Sequence, residues 1–211
     1  MPQRAWLLSS LTGRSFLKAP PFSSAALKKF PFVVLPKGSV LHRTHAAAHG
    51  AWYFDDEPTA RFNPVGTHGL GACYFAERPV AGLLERYKGI TMVDEGDVAA
   101  NAHFSVTLEA RLRLADLCSS GARLFGVKGE IHTTPDYEIT QAWATALAQA
   151  GFKGLKYLCR SDPGMQLVGF ALFDDAGAPP PRRWPAGIDR SVSEAIIREA
   201  EDYGLYVRPT P

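Results

Sequence analysis

Two arginines, an aromatic strand and one carboxylate are spaced along a short central stretch of the chain. Arg43 closes the apolar run Val40-Leu41-His42-Arg43, and Arg61 opens Arg61-Phe62-Asn63-Pro64. A glycine-punctuated turn leads to Ala72-Cys73-Tyr74-Phe75-Ala76, and the next predicted helix carries Glu85. A guanidinium presents a planar fork that matches a pyrophosphate. An aromatic ring offers a stacking face. A carboxylate can stabilise the oxocarbenium-like charge that grows as a glycosidic bond breaks. These groups are the minimum needed to hold a dinucleotide and cleave such a bond.

Each residue also has a plainer reading. Arg43 sits in an apolar strand pattern, where an arginine is rarely buried without a partner. It either points to solvent from an edge strand, pairs with a core carboxylate, or forms the floor of an anion-binding cleft. Arg61 is a loop arginine, and most of those are simply solvated. Phe62 follows it directly, so one short segment can supply both an anion clamp and a stacking ring. Trp52, Tyr53 and Phe54 add aromatic surface upstream and are equally well read as core. Glu85 lies about 100° around its helix from Leu84 and beside Ala81, off the apolar stripe. It is either a solvated helix glutamate or a carboxylate beside a small residue that lets a ligand approach.

Other constellations carry less. His42 and His45 are three apart in a strand pattern and face opposite sides, so a metal pair is not expected. Gly66, Gly69 and Gly71 lack the following helix and the Lys-Ser/Thr of a phosphate loop, and read as a turn before a strand. Cys159 has no histidine partner in sequence, which argues against a cysteine hydrolase.

Strands are predicted over Ser39–Thr44 and Ala72–Ala76, with a helix over Pro79–Lys88 from Val80, Leu83, Leu84 and Tyr87. Alternation from Phe104 to Leu114 predicts one half-buried strand. Thr134 and Pro135 suit an N-cap and first helical position. The helix that follows buries Ile139, Ala142, Trp143, Ala146, Leu147 and Ala150, with Gly151 at its C-terminal cap. Gly154–Cys159 and Leu167–Phe173 read as late strands, and Ser191-Val192-Ser193-Glu194 as a capping box before a tail helix. The irregular order β, β, α, β, α, β, β predicts a single-domain α+β fold. Residues 1–36 read as a basic N-terminal extension, 37–176 as the core domain, and 177–211 as a Pro-rich linker with a C-terminal helix.

A chain of 211 residues, 46% hydrophobic and 21% charged, suits one soluble globular domain. A net charge of +2 without a dense basic run does not indicate direct nucleic-acid binding. Three scattered cysteines suggest a reducing, cytoplasmic setting and give no metal-ligand pair. No apolar run approaches the roughly 20 residues of a membrane span. The first acidic residue is Asp55, so the start is basic. That composition fits either an organelle transit peptide or an extension packed near a site for an anionic ligand.

The order and spacing of several pieces resemble the RES domain family, named for arginine, glutamate and serine, over roughly Leu35 to Asp174. The pieces are Leu35-Pro36-Lys37-Gly38, His42-Arg43-Thr44-His45, Ala47-Ala48-His49-Gly50, Arg61-Phe62-Asn63 and Gly69-Leu70-Gly71-Ala72-Cys73-Tyr74-Phe75-Ala76, then Glu85. Further on come Asp116-Leu117, Asp136-Tyr137, Thr140-Gln141-Ala142-Trp143-Ala144, Gly154-Leu155-Lys156-Tyr157 with Arg160, Asp162-Pro163 and Ala171-Leu172-Phe173-Asp174.

The resemblance implies an ADP-ribosyltransferase-like fold with two small packed sheets and flanking helices. It also implies NAD+ as a consumed substrate, with no metal. Arg43 and Glu85 look like the family's catalytic arginine and glutamate, while Arg61 and Tyr74 match other pocket positions. Phe62, Cys159 and Arg160 are further candidates for binding. The family serine is expected in a Tyr-x-Ser-Arg pattern, but this chain has Tyr157-Leu158-Cys159-Arg160. A thiol is a weaker donor than a hydroxyl. Ser161 shares a face with Cys159 if the strand continues, and is a candidate substitute.

By the same resemblance the chain would be a toxin that depletes NAD+ as a glycohydrolase or phosphorylase. An Xre-type helix-turn-helix antitoxin would restrain it, and homo-oligomerisation stays open. The alternatives are a protein ADP-ribosyltransferase on the same fold and a catalytically silent binding module.

Overall fold

The computed structural model describes residues 17–67 and 69–209. In chain order the elements are α1 (Ser24–Leu27), β1 (Phe32–Leu35), β2 (Val40–Ala46), β3 (Leu70–Ala76), α2 (Pro79–Tyr87), β4 (Met92–Asp94), α3 (Glu95–Ala99), β5 (Asn101–Thr107), β6 (Leu112–Asp116), α4 (Tyr137–Gln149), β7 (Gly154–Leu158), β8 (Val168–Asp175), β9 (Ile188–Ser191), α5 (Glu194–Glu201) and β10 (Tyr206–Arg208). Two 3-10 helices, Ser120–Phe125 and Gly129–His132, lead from β6 to α4. This is the mixed α+β class expected from the element order.

Eight strands form one sheet in the order β1-β6-β7-β8-β3-β2-β5-β9, and β4 pairs with β10 in a separate parallel ribbon. The sheet is not uniform. β3 pairs with β8 from Leu70↔Asp175 to Ala76↔Gly169, and β2 pairs with β5 along its whole length. Between them, β2 and β3 share only the pair His42↔Ala76. Beyond that rung their facing edges part. The expected two small sheets are thus two halves of one sheet, divided at this gap.

Alternation along β3 assigns its side chains to two cores. Ala72 and Ala76 join the cluster that contains Val80, Leu83, Trp143 and Leu147 of helices α2 and α4. Cys73 and Phe75 join the opposite cluster with Leu41, Phe54 and Phe104. A strand covered on both faces needs apolar residues at nearly every position, as β3 has.

Several sequence expectations are corrected. Residues 104–114 are two strands, because the chain bends at Leu108–Arg111 and β6 crosses to the far half of the sheet. Helix α4 begins at Tyr137 with Asp136 as N-cap, and the Thr134 hydroxyl accepts the Asp136 N–H at 3.1 Å in a local turn. Its fully buried face is Thr140, Gln141, Trp143, Ala144 and Leu147, since the polar pair anchors the Pro58–Arg61 loop. The tail helix is capped by Ser193, which accepts the Ile196 N–H, so the box starting at Ser191 does not form.

The expected boundaries at 36 and 177 fall inside the packed structure. β1 pairs with β6, and Leu17, Leu27 and Phe30 are buried in the main core. β9 completes one edge of the sheet. Trp184 stacks on Trp52, 4.8 Å between ring centroids, so the Pro-rich segment covers one core. The transit-peptide reading concerns the start of the chain, of which residues 1–16 lie outside the described ones. Among the described residues, no helix is long and apolar enough to cross a membrane.

Candidate active site

The gap between β2 and β3 opens into a cavity of about 680 Å³ lined by Arg43, Arg61, Tyr74, Glu85 and Arg160, among others. Four separate elements and loops therefore deliver the expected charged groups to one hollow.

Arg43 comes from β2 at the point where the strands part. Its Nη1 donates to the Tyr74 carbonyl on β3 at 3.1 Å, while its buried Nε has no partner. Thr44, only 7% exposed, also leaves its Oγ1 without a partner in the cavity wall. Buried polar atoms are normally satisfied, so these two stand out in the cavity wall; Ser161 Oγ, which does not line the cavity, is the third such atom among the described residues. Arg43 is neither solvated at an edge nor paired to a carboxylate.

Glu85 reaches the cavity because α2 rests directly on β2. At Gly82, an added β-carbon would stand 3.3 Å from Thr44 N and 3.4 Å from Arg43 Cα. One turn later, on the same helix face, Glu85 looks into the hollow. The small residue that makes room is Gly82; Ala81, expected in that role, is fully buried in the core. Glu85 is half-buried, and its Oε2 accepts the Tyr157 hydroxyl at 3.0 Å.

Arg61 is buried despite its place in a turn. Its Nη1 donates to the His132 carbonyl, and its guanidinium lies 5.0 Å from the Phe62 ring centroid and 5.1 Å from that of Tyr157. The guanidinium thus lies within cation–π distance of two rings at the cavity wall. Arg160, at the mouth, lies 5.7 Å from the Tyr137 ring centroid. With Arg86 and Lys88 the wall carries five cations, and among the described residues none of them is salt-bridged. The lining carboxylates are Asp55 and Glu85. The cavity is electropositive around a single inward glutamate.

Tyr74 lines the cavity, but its hydroxyl is committed elsewhere. It donates to Asn63 Oδ1 at 2.8 Å and accepts the Phe62 N–H at 2.9 Å. Asn63 in turn donates to Asp55 Oδ2 at 2.9 Å. Burial pushes the Tyr74 phenol well above its ordinary range. The Arg61-Phe62-Asn63 segment is therefore one device. Arg61 faces the hollow, Phe62 supports it from below, and Asn63 fixes Tyr74 and Asp55.

Two predicted binding residues do not reach the cavity wall. Phe62 is fully buried, packed 5.0 Å from the Tyr157 ring centroid. Cys159 is also fully buried and does not line the cavity; its thiol lies close enough to Glu85 to feel that charge. Burial first, and then the Glu85 charge, push the Cys159 thiol up, so it stays a neutral donor. Ser161 does not take its place. β7 ends at Leu158, and Asp162 turns the chain by accepting from the N–H groups of Gly164, Gln166 and Leu167.

Sequence reasoning missed Tyr157 and His132. Tyr157 was visible only as part of a spaced pattern, since an aromatic in an apolar strand reads as core. His132 gave no signal. Its carbonyl holds Arg61, and its Nδ1 accepts the Leu158 N–H at 3.3 Å. Burial, followed by the Arg61 charge, lowers its pKa to about 4, so the ring is neutral near pH 7.

The fold is a mixed α+β domain whose parted sheet halves frame a cationic hollow with one inward glutamate. The chain belongs to the RES domain family, whose model matches residues 37–189. In fold it is similar to a chain of the M. tuberculosis MbcT-MbcA toxin-antitoxin complex, solved by crystallography. The TM-score is 0.58 at 19% identity, over 80% of this chain and 92% of that one. No curated protein sequence matches the chain.

Proposed function

We propose that the cavity binds NAD+ and that the protein cleaves its nicotinamide–ribose bond. The observation that carries this reading is the convergence of Arg43, Arg61 and Glu85 on one hollow, with buried polar atoms left unpaired in its wall. The volume of about 680 Å³ lies inside the range of roughly 300–1,000 Å³ common for cofactor sites.

In this reading the free guanidinium edges of Arg43 and Arg61, with Arg160 at the mouth, take the pyrophosphate. The Tyr74 ring packs against the nicotinamide or its ribose. As the C–N bond breaks, nicotinamide leaves as a neutral base with the bonding pair, and positive charge grows on the ribosyl carbon and ring oxygen. Glu85 stabilises that charge. Its Tyr157 donor keeps the carboxylate aimed. An acceptor oxygen, from water or inorganic phosphate, then captures the cation; a water gives up its proton. The net reaction is hydrolysis or phosphorolysis of NAD+.

The biological role proposed with it is that of a toxin, restrained by a helix-turn-helix antitoxin that covers the cleft. Its support is family membership and likeness to a chain of a toxin–antitoxin complex. Incubating the purified protein with NAD+ and measuring free nicotinamide tests the chemistry. Release that depends on Glu85 supports it, and no release with or without phosphate overturns it. A mass increase on a protein target would instead identify ADP-ribosyl transfer.

A further inference from the structure

Tyr157 has a place that core packing alone does not explain. It is fully buried, yet its hydroxyl is directed at the one glutamate of the cavity wall, 3.0 Å from Glu85 Oε2. Buried tyrosines need a partner for the O–H, but most find a backbone carbonyl or a neutral side chain. Here the partner is an acid on another element, far away in sequence.

The backbone around it is arranged for this direction. Across the β7–β8 ladder, Tyr157 is the register partner of Gly169. A β-carbon on Gly169 would lie 2.3 Å from Tyr157 Cζ and 2.6 Å from its hydroxyl oxygen. The ring therefore lies over the bare backbone of β8, and this carries the hydroxyl across the strand toward α2. A side chain at position 169 would have to displace the ring. The opposite face of the arrangement is closed by Phe62 and by the Arg61 guanidinium, 5.1 Å from the ring centroid. One ring thus touches both the cation and the anion of the hollow.

We infer that Tyr157 is a positioning residue that fixes the Glu85 carboxylate and sets its placement relative to Arg61. This rests on the proposed cleavage of NAD+ for its consequence, but not for its geometry. A phenol hydrogen bond restricts the glutamate's rotamers by tying Oε2 to β7. The shared ring ties that orientation to the guanidinium, so the two charged groups are held at a fixed separation. Cys159 is two residues along the chain, and its buried thiol also lies near the Glu85 charge.

The test is Tyr157→Phe in the full chain, because phenylalanine keeps the ring, its packing and its contact with Arg61. The maximal rate of nicotinamide release is expected to fall about tenfold to a hundredfold, the size of one lost hydrogen bond to a charged group. The NAD+ KM should stay within about twofold, since the ring–guanidinium contact that supports binding is retained. Crystal structures of both proteins should show the Glu85 carboxylate displaced in the variant while Arg61 and Phe62 stay in place. An unchanged rate, or a loss confined to KM, overturns the inference. If the unmodified protein releases no nicotinamide, the proposed activity fails separately, and the Glu85 position in the two crystal structures decides the role of Tyr157. A glutamate that does not move ends it.

Discussion

Gly82 of α2 lies against the backbone of Arg43 on β2, close enough that an added β-carbon would stand 3.4 Å from the Arg43 Cα. This contact sets how near the helix carrying Glu85 comes to the strand carrying Arg43. Replacing Gly82 with valine should push α2 outward, at a cost of about 1–3 kcal/mol from overpacking. Nicotinamide release should fall further than stability explains. Urea denaturation of the variant, alongside its rate at a temperature where it is folded, checks both.

Glu85→Gln keeps the shape of the side chain and removes its negative charge. The expected result is a loss of about a hundredfold or more in the rate of release, with NAD+ binding changed only a few-fold. Calorimetric titration of the variant with NAD+ separates the two quantities. Equal losses in rate and binding would reassign Glu85 to substrate binding.

Arg43→Lys keeps the charge but loses the planar fork and the arm that reaches the Tyr74 carbonyl. Affinity for NAD+ should weaken about tenfold to a hundredfold, as expected for one charge-assisted contact. The same substitution at Arg61 should in addition lower thermal stability. Arg61 is packed against two aromatic rings and also anchors the 3-10 helix through the His132 carbonyl. Differential scanning fluorimetry of the two variants distinguishes them.

Cys159→Ser places a stronger donor beside Glu85 without adding bulk. The rate of release should rise about twofold to fivefold, the equivalent of roughly 0.5–1 kcal/mol from a better hydrogen bond. Steady-state kinetics of the variant check this. A rate that falls would mean that the thiol matters for packing more than for donation.

Stability should depend on pH through His132. Its folded-state pKa of about 4 lies below the unfolded value of 6.5. The unfolded chain therefore binds the proton first on acidification. The contribution is fully present above about pH 6.5 and is lost as pH falls toward 4. Between pH 7 and pH 5 the loss should be about 2 kcal/mol. Urea unfolding at both values, in the native protein and in His132→Gln, measures it; the difference should shrink in the variant.

Much of the site was legible because unusual residue types interrupt regular patterns. An arginine in an apolar strand and a glutamate off the stripe of an amphipathic helix both point away from the core, and both reach the cavity. Phe62 was misplaced because a loop has no period from which to read the direction of a side chain. β5 and β6 were merged because Leu108, Ala110 and Leu112 stay in phase through a bend with no glycine or proline to signal it. The segment after Gly177 read as a linker on composition. Its fixed place depends on Trp184 meeting Trp52 from far along the chain, which local patterning does not reveal. The single rung between β2 and β3 was likewise invisible, since pairing depends on strands distant in sequence.

That rung has a mechanical consequence. With His42↔Ala76 as the sole ladder contact between the two halves, opening the seam by a small angle breaks little hydrogen bonding while each half keeps its own rungs intact. What resists such opening is packing: Leu41 and Phe104 of one half share a core with Cys73 and Phe75 of the other. Stapling the two strands together there would freeze the aperture at one width.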